Sequence, residues 1–326
     1  MSRHRDGERA DPVGKPGRSV GGSAIVIGLA AALLLPVWGR DAAIIAETPE
    51  VDAAYLAEVD AWRQDRNDRL RDPNGWLTLV GLHWLRVGEN PAGSDADARV
   101  RLTKGPDAMG LFRLAPAGRL RFEPVEGTDI RYAGERLDGP IEMRTDADGT
   151  ATHLEWGSLT FYAIKRQNRV AIRVKDRESD ALRGFEGVDH FAVDPHWRVE
   201  ARFETYDPPK TITVPTVYGD PFEEEIPGAV VFEHDGKRFR IDALPGADGE
   251  LFLIFGDTTN GETSYGAGRF LYTDPPEDGR VTVDFNLAYN PPCAFTAFAT
   301  CPLPPPQNKL DVAIPAGEKN YKGFAH

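Results

Sequence analysis

Two periodicities divide the chain. From about residue 50 to residue 70, Tyr55, Val59, Trp62 and Leu70 recur at near-helical spacing while Asp60, Arg63, Gln64 and Asn67 fill much of the other side. That spacing predicts one amphipathic helix packed on the body of the protein. Thr48 followed by Pro49 predicts its N-cap and first helical position. From Trp76 onward, short runs bounded by Gly, Pro and Asp alternate with period two. In WRVEARFE, Trp197, Val199, Ala201 and Phe203 share one face, and Arg198, Glu200, Arg202 and Glu204 the other. A half-buried strand requires this alternation. LTFYAIKR, RVAIRVKD, AVVFEH, KRFRID, ELFLIF and RVTVDFN repeat the theme without an intervening long helix. The expected fold is mainly β, a β-rich α+β chain forming a largely antiparallel sandwich or barrel with a leading amphipathic helix. Residues 205–228, with five prolines, are expected to form a long excursion from it.

The beginning of the chain follows neither pattern. Arg3, Arg5, Arg9, Lys15 and Arg18 precede an uncharged stretch at residues 23–38, the order of a basic region before an apolar targeting segment. Extended back to Val20, residues 20–38 approach the length that spans a bilayer. Small residues are poorly placed for cleavage, so an uncleaved anchor is expected, with the basic side in the cytoplasm. Residues 1–47 then read as a basic cytoplasmic tail, a signal or anchor segment and a linker, and residues 48–326 as a single β-rich domain outside the cytoplasm.

Charge narrows the choice of partner. The net charge is −13, and six Lys/Arg against three Asp/Glu in the first 40 residues leave −16 for the rest. So acidic a surface repels phosphate backbones, and no nucleic acid is expected. Familiar catalytic signatures are missing: no G-x-S-x-G elbow, phosphate loop or H-E-x-x-H helix occurs. GAGRFL, residues 266–271, has Leu271 where a dinucleotide fingerprint needs its third glycine. Asp146-Ala147-Asp148-Gly149 reads as a polar turn, because a calcium loop begun there would end on Gly157. His190, His196 and Asp194 lack the further ligand that zinc needs, so no metal is expected. The cofactor is left unassigned.

Chemistry concentrates near the C-terminus, in FGDTTNGETSYGAGRFL, VDFNLAYNPPCAFTAFATCPLPPPQNKL and IPAGEK. With WRQDRNDRL, NGWLTLVGLHWL and GSLTFYAIKR upstream, these segments resemble the bacterial and archaeal family of unknown function DUF1684, from about Trp62 to Lys319. The resemblance implies no activity, and the anchor segment departs from family members that lack one. Alternation in RVTVDFN sets Asp284 and Asn286 side by side. Asp257 ends the strand LFLIF, and Arg269 follows with a fork for a carboxylate or phosphate. Asp284 and Asp257 are the candidate catalytic groups, Asp284 as base. Arg269, Asn286, Tyr289, Asn290, Asn308 and Lys319 are the candidate ligand contacts, with Glu318 close by in sequence. The same residues also suit a closed internal network.

Cys293 and Cys301, the only cysteines, flank a proline-rich segment and are expected to form a disulfide outside the cytoplasm. A catalytic thiol would need a base, for which His83 is the nearest suggestion. Three functions follow: an envelope-associated module binding a small anionic or amide ligand or a partner; an extracytoplasmic hydrolase or transferase using Asp257, Arg269, Asp284 and Asn286; or thiol–disulfide redox work. The absence of a recognised nucleophile or metal set favours the first.

Overall fold

The structure is a computed structural model and describes residues 51–323. The basic tail, the apolar segment at residues 20–38 and the expected cap at Thr48-Pro49 lie outside the described residues. Among the described residues, no helix is long and apolar enough to cross a membrane.

Helix α1 (Ala53–Leu70) begins one turn later than the Thr48-Pro49 pair suggests. Its N-cap is Asp52, whose carboxylate accepts the Ala54 N–H at 3.1 Å. Tyr55, Val59, Trp62 and Leu70 are buried as their spacing predicts, and Arg66 joins them.

Eleven strands follow: β1 (Leu79–Trp84), β2 (Gly88–Gly93), β3 (Val100–Arg101), β4 (Gly110–Leu114), β5 (Leu120–Pro124), β6 (Arg131–Tyr132), β7 (Glu135–Arg136), β8 (Ile141–Met143), β9 (His153–Trp156), β10 (Leu159–Arg166) and β11 (Arg169–Asp176). They form two sheets, ordered β1-β11-β10-β9-β6-β7 and β3-β2-β4-β5-β8. Phe112, Phe122 and Phe161 meet in the core of this sandwich, with ring centroids 4.7 to 6.2 Å apart, the tilted contacts that aromatic quadrupoles favour. The turn at Asp146–Asp148 is closed by a capping box with Thr145, and Asp146 pairs with Arg166 at 2.7 Å. These contacts account for its acidic residues as turn chemistry.

After a short helix α2 (Asp180–Arg183), the chain builds a third sheet from β12 (Arg198–Val214), β13 (Phe222–His234), β14 (Lys237–Pro245), β15 (Leu251–Phe255), β16 (Arg269–Thr273) and β17 (Arg280–Asp284). Its order is β16-β15-β14-β13-β12-β17. The sheet curls into a half-barrel. Just beyond β17, Tyr289 and Phe270 of β16 exchange two backbone hydrogen bonds, each 2.9 Å, which bring the two edges together. Val230, Ile241, Leu253, Leu271, Val283 and Phe285 fill the interior. The expected excursion at residues 205–228 is instead mostly strand. The register between β12 and β13 shifts between Thr205 and Lys210, and that irregularity takes up Asp207-Pro208-Pro209. Proline lacks the ladder N–H, so a bulge is where a strand accommodates it.

The segment from Pro291 to Leu303 crosses back as a strap between the half-barrel and the first sandwich. Thr296 Oγ1 donates to Leu79 O at 3.2 Å, and Leu303 N donates to Pro215 O at 2.8 Å.

Candidate functional site

The C-terminal polar residues separate into four clusters. Arg269 and Asp257 are both fully buried and paired at 2.7 Å. Arg269 also donates to Ile314 O at 2.8 Å and to Ala316 O. Asp257 Oδ1 accepts from Thr259 N at 2.9 Å, Thr259 Oγ1 at 2.6 Å and Ile314 N at 3.2 Å. Burial lowers the Arg269 pKa, while the Asp257 charge opposes that shift. This ion pair tethers the C-terminal segment to the half-barrel.

Asp284 and Asn286 belong to a different cluster, so the expected convergence of Asp257, Arg269, Asp284 and Asn286 on one pocket does not occur. Tyr55 of α1 donates its hydroxyl to both Asp284 oxygens at 2.9 Å. Asn286 Nδ2 donates to Asp194 O at 2.8 Å, to Tyr55 Oη at 3.0 Å and to Asp284 Oδ1 at 3.1 Å. Asn286 Oδ1 accepts the Asp194 N–H at 2.9 Å. Arg198 stacks over the Tyr55 ring, 4.7 Å from its centroid, and lies 4.0 Å from Asp284. Burial raises the Asp284 pKa against these hydrogen bonds, and it also raises that of Tyr55. The physical reason for the separation is the path of the chain: β17 delivers Asp284 to the helix, whereas β15 and β16 deliver Asp257 and Arg269 to the C-terminal segment.

Asn290 and Glu318 form the third cluster. Arg66 Nε donates to Glu318 Oε1 at 3.0 Å, and the Asn290 N–H to Oε2 at 2.7 Å. Asn290 Nδ2 donates to Lys319 O at 2.8 Å. Tyr289 packs under the Arg66 guanidinium at 4.8 Å, and the Lys319 ammonium sits over Phe191 at 5.2 Å. Gly317 makes the approach possible: its φ is +78°, and a Cβ there would stand 2.3 Å from Ala288 O. In the fourth cluster Asn308 Oδ1 accepts the Asp242 N–H at 2.8 Å, while Nδ2 donates to Asp242 O and Ile254 O at 2.9 and 3.0 Å. Asn286, Asn290 and Asn308 thus each bond the backbone of their own chain.

Cys293 and Cys301 are buried and unbonded, so the expected disulfide is not formed in this structure. The Cys293 N–H donates to Cys301 Sγ at 3.1 Å. The hydrogen bond from Cys301 lowers the Cys293 pKa, and burial pushes Cys301 well up. His83 lies on β1 opposite Ile172, where burial lowers its pKa.

One surface feature escaped the sequence reading. A depression of about 690 Å³ opens on the outer face of β12, β13 and β17, lined by Glu200, Arg202, Glu233, Arg238, Asp278 and Arg280. Arg202 and Arg280 face each other across β12 and β17, and like charges directly opposed destabilise a sheet. Glu204 is shared by Arg202 at 2.5 Å, Arg238 at 2.8 Å and Arg240. The Arg240 hydrogen bond, the largest influence, holds the Glu204 carboxyl below the usual range. Among the described residues Arg280 takes part in no ion pair. The outward row Arg198, Glu200, Arg202, Glu204 was legible, but the arginine opposed to it requires the strand register.

A family model described as protein of unknown function (DUF1684) matches residues 183–319. The match takes in the half-barrel and strap, and the upstream segments that also suggested the family lie outside it. A solution NMR structure of an uncharacterized protein from Haloarcula marismortui is 34% identical, covering 41% of this chain and 77% of that chain, with a TM-score of 0.36. No curated protein matches.

Proposed function

Because the chain belongs to the DUF1684 family of proteins of unknown function, its role has to be read from its own residues, and we propose a non-catalytic module that binds a small anionic ligand in the β12–β13–β17 depression. The observation that carries this reading is the gathering of three guanidinium groups, Arg202, Arg238 and Arg280, around one depression. Three arginines share Glu204, and Arg280 faces Arg202 without an acid of its own. An anion between Arg202, Arg238 and Arg280 would relieve that repulsion and use the forked donors that match carboxylate and phosphate. Glu200, Glu233 and Asp278 on the same rim suit hydroxyl, amide or amino donors on the ligand. Isothermal titration with citrate, a hexuronic acid and inorganic phosphate is the direct test. We expect one of them to bind, Arg280→Ala and Arg202→Ala each to weaken it about tenfold, and added salt to weaken it further. Binding of none of the three, or binding indifferent to both substitutions, refutes the assignment.

We place this module outside the cytoplasm, held by residues 20–38, on the strength of the basic residues that precede that segment. An oxidising compartment supports a disulfide between Cys293 and Cys301 in the mature protein. Protease accessibility in spheroplasts tests the placement: a protected domain overturns it.

A second reading, a hydrolase or transferase with Asp284 as base, is favoured by one observation. The Asp284 side chain is 12% exposed and its pKa is raised by burial. Against it, Tyr55 and Asn286 already occupy both carboxylate oxygens.

A further inference from the structure

The two thiols stand at the seam between the halves of the molecule. Cys293 and Cys301 are only 6% and 4% exposed, and the Cys293 N–H donates to Cys301 Sγ at 3.1 Å, which sets the two residues side by side. The residues between them make the seam. Thr296 donates to Leu79 O in the sandwich, and Thr300 Oγ1 accepts from Arg166 Nε at 3.1 Å and Arg173 Nη2 at 3.3 Å, both reaching across from β10 and β11. Arg173 is among the largest fully buried side chains. Burial lowers its pKa to about 10. Tyr265 fixes the other end of the strap by donating to Cys293 O at 3.0 Å.

We propose that Cys293 and Cys301 are a reversible redox pair, oxidised by a hydroperoxide, whose state sets how firmly the strap holds the sandwich to the half-barrel. The Cys293 thiolate attacks the outer peroxide oxygen, forming an S–O bond as the O–O bond breaks and the other oxygen leaves to take up a proton. The Cys301 thiolate then attacks the Cys293 sulfur. The S–S bond forms, and hydroxide departs to be protonated to water, so two thiols are oxidised and one hydroperoxide is reduced. Arg173, which reaches the strap at Thr300 next to Cys301 in sequence, offsets the charge of the second thiolate. Closing the ring restricts the strap between its two seam contacts, Thr296 and Thr300.

The inference is independent of the anion site. The test is intact-mass measurement of the reduced full chain, treated with one equivalent of hydrogen peroxide and then with dithiothreitol, followed by amide hydrogen exchange. We expect a loss of about 2 Da that the reductant reverses, absent from Cys293→Ser and from Cys301→Ser. We also expect slower exchange in the oxidised chain at residues 293–301 and at the facing ends of β1 and β11. Oxygen adducts without the 2 Da loss, disulfide-linked dimers, or a disulfide that leaves exchange across the seam unchanged would each overturn the proposal. Since the parent chain alone yields these readings, the test survives a variant that fails to fold.

Discussion

Asp284 shows how one buried carboxylate can be satisfied yet remain titratable. Burial raises its pKa in the folded chain, so the folded state keeps the proton to higher pH than the unfolded state. Stability contributed here is therefore greatest at low pH and falls as pH climbs through the window just above the ordinary aspartate range. Asp284→Asn should remove that slope and stay within about 1 kcal/mol of the parent near neutrality, since an amide oxygen still accepts from Tyr55. Asp284→Ala strands the Tyr55 hydroxyl and the Asn286 N–H and should cost about 1–3 kcal/mol. Denaturant melts from about pH 4 to about pH 8 measure both; equal losses would mean that the negative charge itself holds the cluster. Arg269 and Asp257 are a harsher case. Asp257→Ala leaves a fully buried guanidinium without its counter-charge and should cost about 3–5 kcal/mol, with Asp257→Ala/Arg269→Met recovering part of the loss.

Of the apolar side chains of helix α1 only Tyr55, Val59, Trp62 and Leu70 are buried, and polar docking completes its attachment. Arg63 donates to Phe191 O at 2.9 Å, Asn67 accepts the Val188 N–H at 3.2 Å, and Arg66 pairs with fully buried Glu318. Arg66→Ala should cost about 3–5 kcal/mol by stranding Glu318 and release α1 to rapid amide exchange before the half-barrel unfolds. Exchange of α1 in step with β13 would show that other contacts hold it. The helix, the strand alternation and the antiparallel β class were all legible in the chain, because each depends on spacing within a segment. What lay beyond reach depends on pairing between segments. Tyr55 was legible as an apolar position on a helix face, whereas its hydroxyl partner stands 229 residues away in sequence. Asp257 and Arg269 were correctly placed at strand boundaries, but Asn286, expected beside Asp284 on one strand face, lies in the turn Phe285–Leu287 beyond the end of β17, and the closeness of these segments in sequence suggested a common site that the curl of the sheet does not make.

At the scale of the whole molecule, the sandwich and the half-barrel meet through a seam that holds the fully buried Arg173. Arg173→Ala should cost about 2–4 kcal/mol, from lost packing and from the Thr300 acceptor left without this donor. Calorimetry should then show two transitions, one for each half, where the parent shows one. A single transition in the variant would mean that the strap couples the halves without Arg173. The backbone exchange between Phe270 and Tyr289 has a different reach. An open six-stranded sheet would offer the free N–H and C=O groups of β16 to a strand from another molecule, the usual template for edge-to-edge aggregation. By pairing with Phe270, Tyr289 occupies part of that edge with the protein's own chain, and two hydrogen bonds that add little to stability interrupt the template on which a filament would grow.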